Sequence, residues 1–331
     1  MSIYEDLEKR ILVLDGAMGT MIQKHNLQEL DYRGEQFKNS KTDLKGNNDL
    51  LNITNPAIIT EIHYAYLEAG ADIIETNTFS STSIAMADYH LEEYVYELNL
   101  EAVNCAKKAI QQFYTQHPNS TKKYIAGSIG PLNKTLSLSP DINNPGFRSI
   151  TFNEAMEAYY VQIKSLVEGG VDLLLIETIF DTLNAKAAIF AIQKYFLDIK
   201  KNPLPIMISG TITDASGRTL SGQTMEAFYI SVKHANPISI GLNCALGAKE
   251  MQPYIQELSN ISNCYTSAYP NAGLPNAMGL YDESPEITGT YIEHWAKQGW
   301  VNIVGGCCGS TPAHIAKMAA LVKNIPPRKI Q

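Results

Sequence analysis

Eight short apolar, β-branched runs recur along the 331-residue chain, with helical stretches between them. The runs cover residues 11–15, 71–76, 124–129, 171–178, 205–210, 237–244, 264–269 and 301–307. Most are almost continuously apolar and lack the alternation of a half-exposed strand, the mark of strands buried on both faces of a parallel sheet. Helical periodicity spans 56–69, 152–168, 182–200, 225–234, 248–258, 284–297 and 312–323. The first of these opens on Asn55 and Pro56 and stops at Gly70; the second follows Thr151 and stops at Gly169-Gly170. Such residues start and end helices. Strand–helix units repeated around a circle predict an α/β fold, a (β/α)8 TIM barrel, with one domain over 1–325 and a tail or linker start over 326–331. An open doubly wound sheet is the rival fold, but no Gly-x-Gly-x-x-Gly turn follows the first run. Long connections at 25–55, 131–150 and 270–283 follow strand ends, the face on which barrels build active sites.

Composition narrows the function. Hydrophobic residues make up 45% of the chain and charged residues 18%, which is ample for a large core. A formal charge of −8 argues against nucleic acid or an anionic membrane as the main partner. The charged start is unlike a signal peptide, and no segment reaches the roughly 20 apolar residues that span a bilayer. A cytoplasmic location is expected, with all five cysteines reduced; their odd number and long spacings oppose a disulfide framework.

Polar residues at the run ends are the candidate chemistry: Asp15, Glu75 with Asn77, Ser128, Glu177 with Thr178, Thr211 with Asp214, Asn243 with Cys244, Asn271, and Cys307-Cys308. Thr78, Asp214 and Ser310 read as caps or loop ties. Asp15 and Glu177 end continuous apolar runs, Ile-Leu-Val-Leu-Asp15 and Leu-Leu-Leu-Ile-Glu177. A carboxylate placed there needs a cation, either a ligand ammonium or a buried base, and Arg218 is the one base near such a run. Cys105, on a helix, and Cys264, early in the seventh run, read as small hydrophobes. Cys244 and the adjacent Cys307-Cys308 are different, because the sixth and eighth strands of a barrel end on one rim. Three thiolates there make a zinc site with an open fourth position. The segment Gly305-Gly-Cys-Cys-Gly-Ser-Thr-Pro312 also has the look of a phosphate cradle, which would leave the thiols without a role. No lysine stands at a strand end, as a Schiff-base aldolase would need.

These motifs resemble the zinc-dependent homocysteine S-methyltransferase family, and within it the homocysteine-binding module of cobalamin-dependent methionine synthase. The resemblance runs nearly end to end. It is carried by Asp15-Gly-Ala-Met-Gly-Thr20, Glu75-Thr-Asn-Thr-Phe-Ser80, Gly127-Ser-Ile-Gly-Pro131, Ile176-Glu-Thr-Ile-Phe-Asp-Thr-Leu-Asn-Ala-Lys186, Ser209-Gly-Thr-Ile-Thr-Asp-Ala-Ser-Gly-Arg218, Gly241-Leu-Asn-Cys-Ala-Leu-Gly247, Tyr269-Pro-Asn-Ala-Gly273 and Gly305-Gly-Cys-Cys-Gly309. The Ile176–Lys186 segment points to the methionine synthase branch.

The resemblance implies a methyltransferase that makes methionine from homocysteine. Cys244, Cys307 and Cys308 would hold Zn2+, with Asn271 as a substrate-free fourth ligand. Asp15 and Glu177 would hold the substrate ammonium, and the turn at Gly16 and Ala17 its carboxylate. The corrinoid signature Asp-x-His-x-x-Gly is absent: Asp88-Tyr-His90 begins it, but Glu93 stands where Gly should be. Methylcobalamin is therefore expected on a partner, either a cobalamin- and folate-binding chain or further modules of a longer protein. Two alternatives stand beside this one: a homocysteine S-methyltransferase using a free donor such as S-methylmethionine, and a docking subunit that binds homocysteine without turnover.

Overall fold

All eight apolar runs form strands in the computed structural model, which describes residues 2–213 and 216–330. They are β1 (Leu12–Val13), β2 (Ile73–Glu75), β3 (Tyr124–Ile129), β4 (Leu173–Ile179), β5 (Ile206–Gly210), β6 (Ser239–Gly247), β7 (Tyr265–Asn271) and β8 (Ile303–Val304). Each strand pairs in parallel with its neighbours in the order β1-β8-β7-β6-β5-β4-β3-β2. A single bridge between Leu14 and Ile73 closes the ring. The expected (β/α)8 barrel is thus observed as one domain.

Period-two alternation decides what fills the barrel and what reaches its mouth. Leu173 and Leu175 of β4, Tyr124 and Ala126 of β3, and Ile73 of β2 point inward and pack together with Leu12, Met207 and Ile303. The next inward position on each of those three strands is polar: Glu177, Ser128 and Glu75. Outward residues such as Leu174, Ile176, Ile125 and Ile74 join the larger core beneath the helices. One repeat therefore builds both the apolar plug and the polar floor above it.

Helices follow the periodic stretches closely, but several others lie outside them, short ones such as Met18–Lys24 and Ser83–Met86 and one long one. The helix between β2 and β3, Val95–Gln116, is the longest of those described, yet the periodic stretches pass over it. Two 3-10 turns, Ala87–Tyr89 and Glu92–Tyr94, precede it, and its N-cap Tyr94 makes no side-chain cap, so no start signal is visible. The incomplete corrinoid motif lies in these turns, with His90 left-handed at φ 56. Another helix outside those stretches is Ile3–Lys9, begun by a Ser2–Glu5 capping box. Its Ile3 and Leu7 close the N-terminal end of the barrel. Asn55 holds the N-cap position of Pro56–Glu68 without a side-chain bond, whereas Thr151 and Glu154 form a full capping box.

Arg328, in the segment read as a tail, is fastened to the N-terminal rim. Arg328 is buried and donates to the carbonyls of Ser259, Ser262 and Cys264 at 2.7–3.0 Å. Asn302, just before β8, donates back to the Arg328 carbonyl at 2.7 Å. No helix among the described residues is long and apolar enough to cross a membrane.

Candidate metal centre and anionic pocket

Sulfur from two strands meets at the C-terminal mouth. The Sγ atoms of Cys244, Cys307 and Cys308 all lie within 4.8 Å of one another, and Cys244 to Cys308 is 3.6 Å. Two thiolates bound at about 2.3 Å to one tetrahedral ion would stand about 3.8 Å apart, so the spacing suits a zinc-sized ion. Donor chemistry agrees, and Asn271, two inward positions beyond Ser267 on β7, is buried with an unpartnered Oδ1. Cys105 and Cys264 lie elsewhere, and burial raises both thiols to about 11.

The strands deliver these sulfurs differently from the sequence expectation. Cys244 does not end β6; it sits in a bulge where the register with β7 shifts between Asn243 and Gly247. Cys244 and Ala245 both take left-handed backbone, φ 59 and 56. That conformation costs a side-chain-bearing residue roughly 1–2 kcal/mol, and here it swings the sulfur towards β8. Cys307 and Cys308 lie just beyond β8, where the Cys307 N–H donates to the Pro270 carbonyl at 2.8 Å. Gly306 is required by a neighbour: a Cβ there would stand 2.3 Å from Ser310 Oγ. Ser310 is a loop tie as expected, donating to the Cys307 carbonyl and accepting from the Ala17 N–H. The hydrogen bonds from Cys244 and Cys307 bring Cys308 down to about 3, and those shared with Cys244 and Cys308 hold Cys307 well above the usual thiol range.

Beside the sulfurs lies a pocket of three carboxylates. Asp15 and Glu177 are buried as expected, and the half-buried Glu75 of β2, named at a strand end but assigned no role, lies beside them. Asp15 Oδ2 accepts the Glu75 N–H at 3.0 Å, Ser128 Oγ donates to Glu177, and Glu75 and Glu177 share a hydrogen bond. Among the described residues none of the three forms an ion pair within 4.0 Å; Arg218, the candidate base, donates instead to the Gly222 carbonyl. Burial, then the charge of neighbouring carboxylates, lifts Asp15 and Glu75 well above the carboxylate range. Burial also raises Glu177, to about 7, against the lowering bond from Ser128. Carboxyls that burial holds towards the protonated form, with no base beside them, can ionise when a cation enters from outside.

A cavity of about 790 Å³ joins the two features, with Gly16, Ala17, Tyr269 and Tyr281 among its walls. Ala17 already spends its N–H on Ser310 Oγ at 3.2 Å. Gly16 is packed so tightly that a Cβ would meet Tyr66 at 2.8 Å. Sequence reasoning passed over two further residues. Asp49, in the connection 25–55, is buried and pushed to about 6 by desolvation, accepting from Ser80 N and Ser81 Oγ. Tyr269 is buried in the barrel interior. Period-two alternation along β7 would have marked Tyr269; nothing in its loop marks Asp49. Thr211 lies buried after β5, while Asp214 falls outside the described residues.

Fold and site together define a (β/α)8 barrel with a tricysteine centre opening onto an anionic pocket. A family model described as homocysteine S-methyltransferase matches residues 12–322, and the chain belongs to that family and is a methyltransferase. Solved structures of the Escherichia coli homocysteine methyltransferase MmuM share the fold. Its metallated form superposes with a TM-score of 0.74 at 23% identity, covering 96% of this chain and 98% of that one. The oxidised form gives 0.72 at 22% identity, covering 94% and 95%, and the apo form 0.69 at 21%, covering 95% and 97%.

Proposed function

We propose that the chain transfers a methyl group to the sulfur of homocysteine, giving methionine, with Cys244, Cys307 and Cys308 holding Zn2+. The observation that carries this reading is the convergence of three sulfurs beside the buried carboxylates Asp15 and Glu177 and the half-buried Glu75, none of which has a protein cation as partner among the described residues. When bound, zinc supplies Lewis acidity that makes an incoming thiol, ordinarily of pKa about 8.5, a thiolate at neutral pH. Asn271 Oδ1 is the oxygen donor available when no substrate is present. Asp15 and Glu177 hold the substrate ammonium, with Glu75 completing the pocket, and Gly16 lines the wall where the substrate carboxylate lies. Held at both ends, the sulfur faces the open cavity. It attacks the donor methyl carbon, the carbon–donor bond breaks, and methionine leaves as a neutral thioether.

For the donor, the Ile176–Lys186 motif favours methylcobalamin carried by a partner chain or module. A second reading has support in the cavity wall, which is lined by Asp49, Asp88 and Asp282 together with the aromatic residues Phe79, Tyr89 and Tyr281. Such a lining suits a cationic free donor such as S-methylmethionine. Turnover would be assayed with zinc-loaded protein, homocysteine and each donor separately. Methionine formed with methylcobalamin alone supports the first reading, and methionine formed with the sulfonium alone supports the second. No methionine from either, with metal bound, would refute the assignment.

A further inference from the structure

One fully buried side chain touches both halves of the site. Asn243 Oδ1 accepts from the Thr178 N–H at 3.0 Å and from Ser209 Oγ at 2.7 Å. Its Nδ2 donates to Thr178 Oγ1 at 2.7 Å and to Cys307 Sγ at 3.9 Å. The orientation of the amide is fixed, because a backbone N–H can only donate and so must face oxygen. The two hydrogens on Nδ2 allow both donations at once.

What Asn243 grips explains why it matters. Thr178 directly follows Glu177 and holds a left-handed backbone, φ 54, a strained position for a β-branched residue. Cys244 directly follows Asn243 and is left-handed as well. Backbone strain of this kind persists only where the surroundings over-determine it. The amide supplies that constraint on the strand carrying the pocket carboxylate, and reaches one thiol from the other side.

We infer that Asn243 is a positioning residue coupling the tricysteine centre to the ammonium pocket: it fixes the irregular Glu177–Thr178 step of β4 and donates an N–H to the Cys307 sulfur, so that metal affinity and homocysteine affinity depend on one amide. This rests on the reading of the three cysteines as a metal centre. Partners outside the ligand set commonly tune metal affinity 10- to 100-fold.

The test uses the metal-free full chain titrated with Co2+, read by the thiolate-to-cobalt charge-transfer band, followed by homocysteine titrated into the cobalt-loaded protein. Asn243→Asp keeps the acceptor for Thr178 and Ser209 but removes both N–H donors. It should weaken Co2+ binding about 10- to 100-fold, shift the band, and weaken homocysteine binding at least about tenfold. Ser209→Ala only loosens the amide and should weaken both in the same direction by a smaller factor. Wild-type values for metal, band and homocysteine in a folded Asn243→Asp protein overturn the inference, as does a loss at only one of the two sites. Should Asn243→Asp not fold, Ser209→Ala decides alone, unchanged affinities counting against the coupling. Failure of the wild-type chain to take up Co2+ would instead overturn the metal-centre reading itself.

Discussion

Glu177 shows how a single position sets the pH behaviour of the site. Its carboxyl, ordinarily near 4.5, is lifted to about 7 by burial. A raised carboxyl pKa favours the protonated fold, so its contribution to stability is complete below 4.5 and is lost as pH rises through about 7. Asp15 and Glu75 shift in the same direction. The ligand-free protein should therefore lose Tm as pH climbs from 5 to 8, and Glu177→Gln should flatten that decline. A variant whose Tm tracks wild type across that range would show that the carboxylate is not desolvated. The same substitution removes a charge-assisted bond to the substrate ammonium, worth about 1.5–3 kcal/mol. Homocysteine KM should rise about 10- to 150-fold on that basis, with metal content unchanged. Cys308→Ala should remove both metal and turnover, as measured by metal analysis and methionine formation. Retention of either would mean that the sulfurs do not act together.

Elements were legible where a strand or helix announces itself locally. Eight strands could be read because continuous apolar runs have few other uses, and the polar residue closing each run placed Asp15 and Glu177 at the mouth. Glu75 ends its run in the same way and could have been given the same role. The helix Val95–Gln116 hid because its start lacks a cap, although Leu98, Ala102, Ala106 and Ala109 keep helical spacing on its buried face. The bulge of β6 was illegible for another reason: no glycine marks the left-handed pair Cys244 and Ala245. Relieving one of them tests whether the bulge is strained. Ala245→Gly removes roughly 1–2 kcal/mol of left-handed strain against about 0.4–1 kcal/mol of added chain entropy. A net gain in unfolding free energy of up to about 1.6 kcal/mol is expected, and a loss of about 0.4–1 kcal/mol would show that Ala245 is relaxed there.

The whole barrel divides its labour between two ends. Sulfurs and carboxylates occupy the C-terminal mouth, while the N-terminal end is closed by Ile3–Lys9 and the Arg328 clasp. Arg328 meets carbonyls at the end of the helix Ala248–Ile261, where cations complement the helix dipole. Arg328→Ala should cost about 2–4 kcal/mol of stability, seen by denaturant unfolding, without altering metal content. A parallel loss of metal would mean the two ends are not independent. The most direct test of the whole account is zinc-edge X-ray absorption on the purified chain, with and without homocysteine. Three sulfur neighbours at about 2.3 Å plus one light atom are predicted without the amino acid, and four sulfurs with it. Coordination unchanged by homocysteine, or fewer than three sulfurs in the free protein, would contradict it.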